Sequence, residues 1–423
     1  MSPVNVDRFG NSLAPGLPYA RGKIIRSTED DVTKLRQAWR LIRARIDKDG
    51  PDAVFNFTGL ERALHVEPQD LPFADDELGA AMYGERLTEL ALEHLGGTPA
   101  RHDVMLFNRM TAATLAVHFV LVEPGDTVVG ISPAYSHPTV SRAAARVGAR
   151  FVDTVGLDAF ARALAAEPRL RLVVLTRLAT TYEMLDATTV REAVRLARAR
   201  GVRIYVDDAG GARVGPVVFG QPRMLELGVD VGATGLDKYG TVGPRLGLLA
   251  GEKALVAALR ARAFEFGLEA RPLLYPAAVR SLEQYAPDRV RALVACTKEV
   301  EAALKALLGA RVHTTPVTAQ LLAEDILAVA LERAGLATPP IVPYEAMAAL
   351  AMLLLRDHGI LSIHLAALPP GARGILIKFV PPETLRRFGG AARFAEAVDR
   401  SLDALAAVVG RPEAVRALVL GPE

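Results

Sequence analysis

One lysine in this 423-residue chain stands in unusual company. In GATGLDKYGTVGPRLGLLAG, residues 232–251, Lys238 follows a short apolar run ending at Thr234. A glycine- and proline-rich turn and a second apolar run, RLGLLAG, come after it. An isolated lysine is ordinarily a solvated surface group, but here it sits at a strand-to-loop junction with little side-chain bulk around it. To attack a carbonyl carbon a lysine must be neutral, so its unperturbed pKa of about 10.4 has to fall through desolvation or a nearby cation. A second stretch, IYVDDAGGARVG (204–215), puts Asp207 and Asp208 at the end of an apolar strand, where a buried carboxylate needs a partner. A third, FNRMTAATL (107–115), opens a helix with small and hydroxyl residues, which suits an anion held at a helix start. Singly, each has a plainer reading: a surface lysine, a capping or loop acid, an ordinary helix cap.

Together the three ask for one chemistry, that of pyridoxal phosphate (PLP). The lysine forms a Schiff base with its aldehyde, an acid keeps the pyridine nitrogen protonated so that the ring withdraws electrons, and small glycine-rich walls let ring and phosphate approach the backbone. Such a site needs elements that gather strand ends. From about residue 86 to residue 290, short β-rich runs alternate with amphipathic helices. Helices are expected in RLTELALEHLG, TAATLAVHFVLV, HPTVSRAAARVGA and ATTVREAVRLARARG, and strands in DTVVGIS, LRLVVLT, RIYVDDAGG, VDVGAT and RLGLLAG. This pattern predicts an α/β large domain, residues 51–290, with a mostly parallel sheet flanked by helices on both faces and its chemistry at the C-terminal strand ends. Residues 1–50 read as an N-terminal segment that drapes over something, a neighbouring subunit included, followed by a helix in DDVTKLRQAWRLIRARIDKDG. Residues 291–423 read as a smaller C-terminal α+β domain containing the strand GILIKFV and a last helix, RFAEAVDRSLDALAAVVG.

The ordered set NRMTAAT, SPAYSHPTV, VDDAGGARV and TGLDKYGTVGPRLGLLAG resembles the fold-type I PLP-dependent enzymes. Within them it is most similar to the branch containing selenocysteine synthase and its archaeal PLP-dependent relatives, whose N-x-T-G segment is matched by NFTGLERAL (56–64). The resemblance runs from about residue 50 to 290 and more loosely to the end. It implies a fold-type I PLP-dependent transferase fold in which Lys238 carries the cofactor and shuttles the α-proton. Asp207, the first acid after RIYV, would face the pyridine nitrogen, with Asp208 the alternative, and Ala209 would lie against the ring. Met110 and Thr111 would offer N–H groups and a hydroxyl to the phosphate, and His137 would stack on the ring, with Tyr135 its competitor. Relatives carry a serine or threonine three residues before the lysine; Gly235 stands there, so Thr234 is the substitute, and Arg245 is a further phosphate candidate. For a substrate carboxylate the candidates are Arg271, Arg373 and Lys378, a lysine being a point charge rather than a bidentate fork. Tyr83 reads as packing, or as a reach to a partner subunit's phosphate. The resemblance favours a homo-oligomer and a small amino-acid substrate, with elimination or replacement at the β-carbon by a lyase or transferase. An aminotransferase is the alternative within the cofactor class. A non-catalytic binding or regulatory protein is the alternative outside it, against which Lys238 and Asp207 both speak.

Composition narrows the rest. With 51% hydrophobic and 23% charged residues the chain is globular, and a net charge of +2 does not favour a nucleic-acid partner. The lone Cys296 excludes an internal disulfide and a multi-cysteine zinc site, and His358 and His364 lack partners at metal spacing, so no metal is expected. Clusters such as RLARARGVR read as solvated helix faces. No G-x-G-x-x-G follows a strand, which disfavours a nicotinamide dehydrogenase. Without a signal-type core or an apolar run of about 18 residues, a cytoplasmic protein with no membrane contact is expected.

Overall fold

The computed structural model describes residues 6–362 and 373–422. The chain divides into two compact units, Glu61–Arg291 and Met1–Leu60 with Ala292–Glu423. In chain order the strands that matter here are β1 (Phe55–Phe57), β2 (His102–Phe107), β3 (Thr127–Ser132), β4 (Arg150–Val155), β5 (Leu170–Leu175), β6 (Arg203–Asp207), β7 (Val231–Gly235) and β8 (Gly247–Glu252). In the unit Glu61–Arg291, strands β2 to β8 form one sheet in the order β2-β8-β7-β6-β5-β3-β4. Strand β8 is antiparallel to both its neighbours, and every other pairing is parallel.

The sheet is buried on both faces, and the pleat sorts its side chains between two cores. Val129, Ile131, Val173, Leu175, Ile204 and Val206 join one core, while Val128, Leu172, Val174 and Tyr205 join the other. That alternation is the two-residue period of a strand, and each fully buried aliphatic contributes roughly 1.5–3 kcal/mol. The helices of this unit include α2 (Asp76–Leu95), α3 (Met110–Leu121), α4 (Pro138–Arg146), α5 (Leu157–Ala166), α6 (Ala187–Ala199) and α7 (Gly211–Phe219), following α1 (Thr28–Asp49) of the other unit. Helix α3 lines the core that holds Tyr205, whereas α2, α5 and α6 line the opposite one. Local signals set the ends: Asp186 accepts from the N–H groups of Thr188 and Thr189 to cap α6, and Gly96, at φ 76°, ends α2 in the left-handed region.

The other unit carries a three-stranded antiparallel sheet (Val312–Thr315, Thr318–Leu322 and Gly374–Lys378) and pairs β1 in parallel with Ile360–Ser362. Its helix Pro343–His358 is buried along almost its whole length. Residues 19–34 contact this helix. Glu345 accepts from the N–H groups of Ile24 (2.6 Å) and Ile25 (3.0 Å), and Tyr19 stacks on Tyr344 with ring centroids 4.1 Å apart. Buried Asp31 gathers Arg21 (2.8 Å), Lys34 (3.1 Å) and the Tyr344 hydroxyl (2.6 Å). Cys296 is buried in this unit, His358 is half-buried at the end of its helix, and His364 lies outside the described residues. Among the described residues no cluster of His, Cys, Asp or Glu could hold a metal ion, and no helix is long and apolar enough to cross a membrane.

Candidate active site

Strand β6 delivers two acids to the C-terminal edge of the sheet, and the pleat sends them opposite ways. Asp207 is two residues beyond Tyr205 and so shares the α3 face; Asp208 turns to the other. There Asp208 meets Arg177, whose Nε donates to Oδ1 at 3.1 Å and whose Nη2 donates to Oδ2, both side chains fully buried. The fit is tight enough that a Cβ on Gly211 would stand 2.1 Å from the Asp208 Oδ1. Asp207 has no such partner. Among the described residues no donor is hydrogen-bonded to its carboxylate, and burial, reinforced by the charge of Asp208, pushes it up to about 7 against the pull of Lys238. Two more polar groups on the same face share this condition: the hydroxyls of Ser132 and Thr176, at the ends of β3 and β5, are buried without a hydrogen-bond partner among the described residues.

Lys238 sits in the turn after β7 with its side chain 20% exposed. Its amine is held below the usual lysine range by burial, then by the neighbouring cations of Arg62 and Arg245, with Asp237 working the other way. Nζ lies 3.6 Å from Asp237 Oδ1, and Arg62 Nε donates to Asp237 Oδ2 at 2.9 Å. His137 caps α4, its Nδ1 accepting from the Thr139 N–H at 3.1 Å. Burial, then the charges of Lys238, Arg142 and Arg109, bring that imidazole down to about 4, so it is a neutral ring beside the lysine. Tyr135 is half-buried two residues earlier.

The start of α3, at Met110 and the exposed Thr111, has no side-chain cap, and β8 passes close against it: a Cβ on Gly247 would stand 2.9 Å from the Met110 nitrogen. Arg245 is exposed, and burial of part of its length, then the charges of Arg62 and Arg109, push it down to about 10. The Thr234 hydroxyl donates to the Ala209 carbonyl at 3.0 Å. Thr234 therefore ties β7 to the loop after β6, at the residue expected against the ring.

The substrate-side candidates fall in both units. Arg271 is exposed and ion-paired with Asp76. Arg373 and Lys378 belong to the other unit, Arg373 exposed and Lys378 buried, with Nζ donating to the Thr58 carbonyl at 3.0 Å. The Tyr83 hydroxyl donates to Asp70 at 2.6 Å, and Arg280 grips the same carboxylate with contacts of 2.8 and 3.0 Å, so Tyr83 is committed within its own chain. Arg62, Asp237, Ser132 and Thr176 are site-end residues that spacing did not single out. Arg62 and Asp237 lie inside the quoted motifs, yet only folding brings them together.

These residues fit PLP. A desolvated amine, a buried carboxylate still lacking a donor, a helix start without a cap and glycines where a Cβ would collide are the four things the group requires. The chain aligns with N-succinyldiaminopimelate aminotransferase from Mycobacterium tuberculosis over 86% of its own length and 96% of that chain, at TM-score 0.57 and 18% identity. The fold is accordingly that of the fold-type I PLP-dependent transferases. A scan against protein-family models finds no match. Over 405 residues, 93% of this chain and 98% of the relative, the sequence is 30% identical to a UPF0425 pyridoxal phosphate-dependent protein of Methanothermobacter thermautotrophicus. It is 27% identical over 352 residues, 82% and 88% of the two chains, to the UPF0425 pyridoxal phosphate-dependent protein of Methanosphaera stadtmanae. The chain belongs to the UPF0425 family of pyridoxal phosphate-dependent proteins.

Proposed function

We propose that this PLP-dependent enzyme eliminates or replaces a substituent at the β-carbon of a small amino acid, with Lys238 as cofactor anchor and proton carrier and Asp207 as the acid facing the pyridine nitrogen. The observation that carries the reading is the contrast between adjacent acids. Asp208 is consumed by Arg177, while Asp207 is buried, unbonded and electrostatically coupled to Lys238. A carboxylate kept in such a place is costly until a cationic N–H reaches it, and a protonated pyridine nitrogen is such a donor. When bound, PLP supplies an electron sink for negative charge developing on the substrate α-carbon.

The chain's own groups do the remainder. Lys238 Nζ, with its pKa lowered, takes and returns the α-proton. Despite its burial, Asp237 is brought down to about 2 by Lys238 and Arg62, so it stays anionic beside Nζ and supports the amine's return to ammonium. Met110 and Thr111 at the α3 start, with Arg245, would hold the phosphate. Ala209 leaves room for the ring, and His137 or Tyr135 would cover it. Reaction at the β-carbon is favoured over amino-group transfer because the small-domain strand offers Lys378, a point charge, where an arginine fork would be expected. A homo-oligomer belongs to this reading.

The test is a screen for amino acids that perturb the visible band of the holoenzyme, followed by a single turnover with a responding substrate. A 2-oxo acid with ammonia, or a β-substituted product, is expected. Accumulation of pyridoxamine phosphate, reversed by adding a 2-oxo acid, would show an aminotransferase and overturn the proposal.

A further inference from the structure

Behind the turn that carries Lys238 lies a buried arginine with no part in the chemistry above. Arg213, in the first turn of α7, is fully buried, which is rare for a cation. Its Nη1 donates to two main-chain carbonyls, those of Gly235 (3.1 Å) and of Lys238 itself (2.6 Å). Its Nε donates to His94 Nε2 at 3.1 Å, and its guanidinium carbon lies 5.7 Å from the centre of the Tyr285 ring. The two carbonyls bracket the turn, since Gly235 closes β7 and Lys238 stands three residues on. Both bonds leave one nitrogen, whose two hydrogens tie the carbonyls together, while Nε on His94 fixes the plane of the rigid guanidinium, so the backbone between the carbonyls is held.

The fork is itself braced. To accept from Arg213, His94 Nε2 must be unprotonated, and burial, with the charges of Arg213 and Arg223, holds that imidazole well below its ordinary range. Three residues past Lys238, Thr241 Oγ1 donates to the Leu236 carbonyl at 2.9 Å and reaches the Lys238 carbonyl at 3.4 Å, and Ser281 Oγ donates to Thr241 Oγ1 at 3.2 Å. The carbonyls of the turn are therefore held by two side chains whose bonds go to the backbone and not to the amine.

We propose that Arg213, seated against His94, is a positioning residue for Lys238, holding the backbone so that Nζ keeps one place whether bonded to the cofactor or freed from it. The proposal rests on the reading of Lys238 as the cofactor-bearing amine. A merely structural Arg213 would lower stability without any particular loss of reactivity at Lys238, and the two roles separate experimentally.

The full-length apoprotein would be prepared as wild type, Arg213→Gln, Arg213→Lys and a control, Leu164→Ala, which opens a cavity under α5, where Leu164 is buried. Urea midpoints measure stability, the growth of the visible band after adding PLP measures loading, and borohydride reduction with peptide mapping locates the label. Both Arg213 variants should still label Lys238 but load about 10- to 100-fold more slowly, the scale of a misplaced reacting group. Arg213→Lys, which keeps the charge but not the rigid plane that holds His94 and both carbonyls at once, should recover little, while Leu164→Ala should load at the wild-type rate despite its lower midpoint. Loading of both Arg213 variants at the wild-type rate, or a delay matched by Leu164→Ala, would overturn the proposal. If Arg213→Gln fails to fold, Arg213→Lys carries the comparison. A wild-type label on another lysine would instead overturn the Lys238 reading, and with it this one.

Discussion

Lys238→Ala is expected to give a folded protein from which dialysis strips PLP and which has lost at least about 10⁴-fold in kcat/KM, the scale of losing a group that acts as a catalytic unit. The physical reason is that Nζ does two jobs at once. In the proposed reading it is the covalent tether and, once released, the base for the substrate α-proton. Burial and the cations Arg62 and Arg245 lower its pKa, so at neutral pH its charged form weighs against the apo fold. Removing it should leave the apoprotein's urea midpoint at pH 7 unchanged or raised. Absorbance after dialysis checks the tether, and the urea midpoint checks that the fold survives. A variant that keeps its visible band through dialysis would mean that another amine holds the cofactor.

Asp207→Asn and Asp208→Asn should fail in opposite ways. A neutral amide in place of the Asp207 carboxylate cannot hold a pyridine nitrogen protonated, so turnover should fall by about 10²–10³-fold with cofactor retained, the range of a lost preorganised electrostatic group. Asp208→Asn leaves Arg177 as an uncompensated buried charge, which costs about 3–5 kcal/mol and should appear as a lower unfolding midpoint. A pH signature accompanies the first variant. The folded-state pKa of Asp207, about 7, lies above its ordinary value, so its contribution to apoprotein stability is complete at acid pH and is lost as pH rises through about 7. Asp207→Asn should therefore stabilise the apoprotein at pH 8 while crippling the holoenzyme. Kinetics and urea melts of the two variants side by side decide this, and greater loss of turnover in a stably folded Asp208→Asn protein would show the acids to be assigned the wrong way round.

Much of the sheet was legible because its central strands are buried on both faces and read as unbroken apolar runs: VVGI in β3, LVVL in β5, IYV in β6. Strand β4 was passed over because it lies at the sheet edge, and RFVDTV carries charge and an exposed side. Strand β2 is likewise an edge strand, opening on His102 and Asp103, and glycine-rich α7 hides its helical character. Lys238 and Asp207 stood out by residue type at strand ends. The choice between the two acids did not, because Tyr205 and Val206 are both apolar and only the packed sheet shows which face meets α3. Arg177 and Arg213 were invisible for a related reason: an arginine in sequence looks solvated, and only the fold buries these two against Asp208 and the Lys238 turn.

The central claim is that one amine, in one turn, carries the cofactor, and borohydride reduction of the holoenzyme followed by peptide mapping tests it most directly. The pyridoxyl group should be found on Lys238 and on no other lysine. Two others define the contrary result: Lys253 is exposed at a helix start, and Lys298 spends its amine on Glu301 (2.6 Å) and the Thr315 carbonyl (2.6 Å). A label on either, with Lys238 unmodified, would contradict the account.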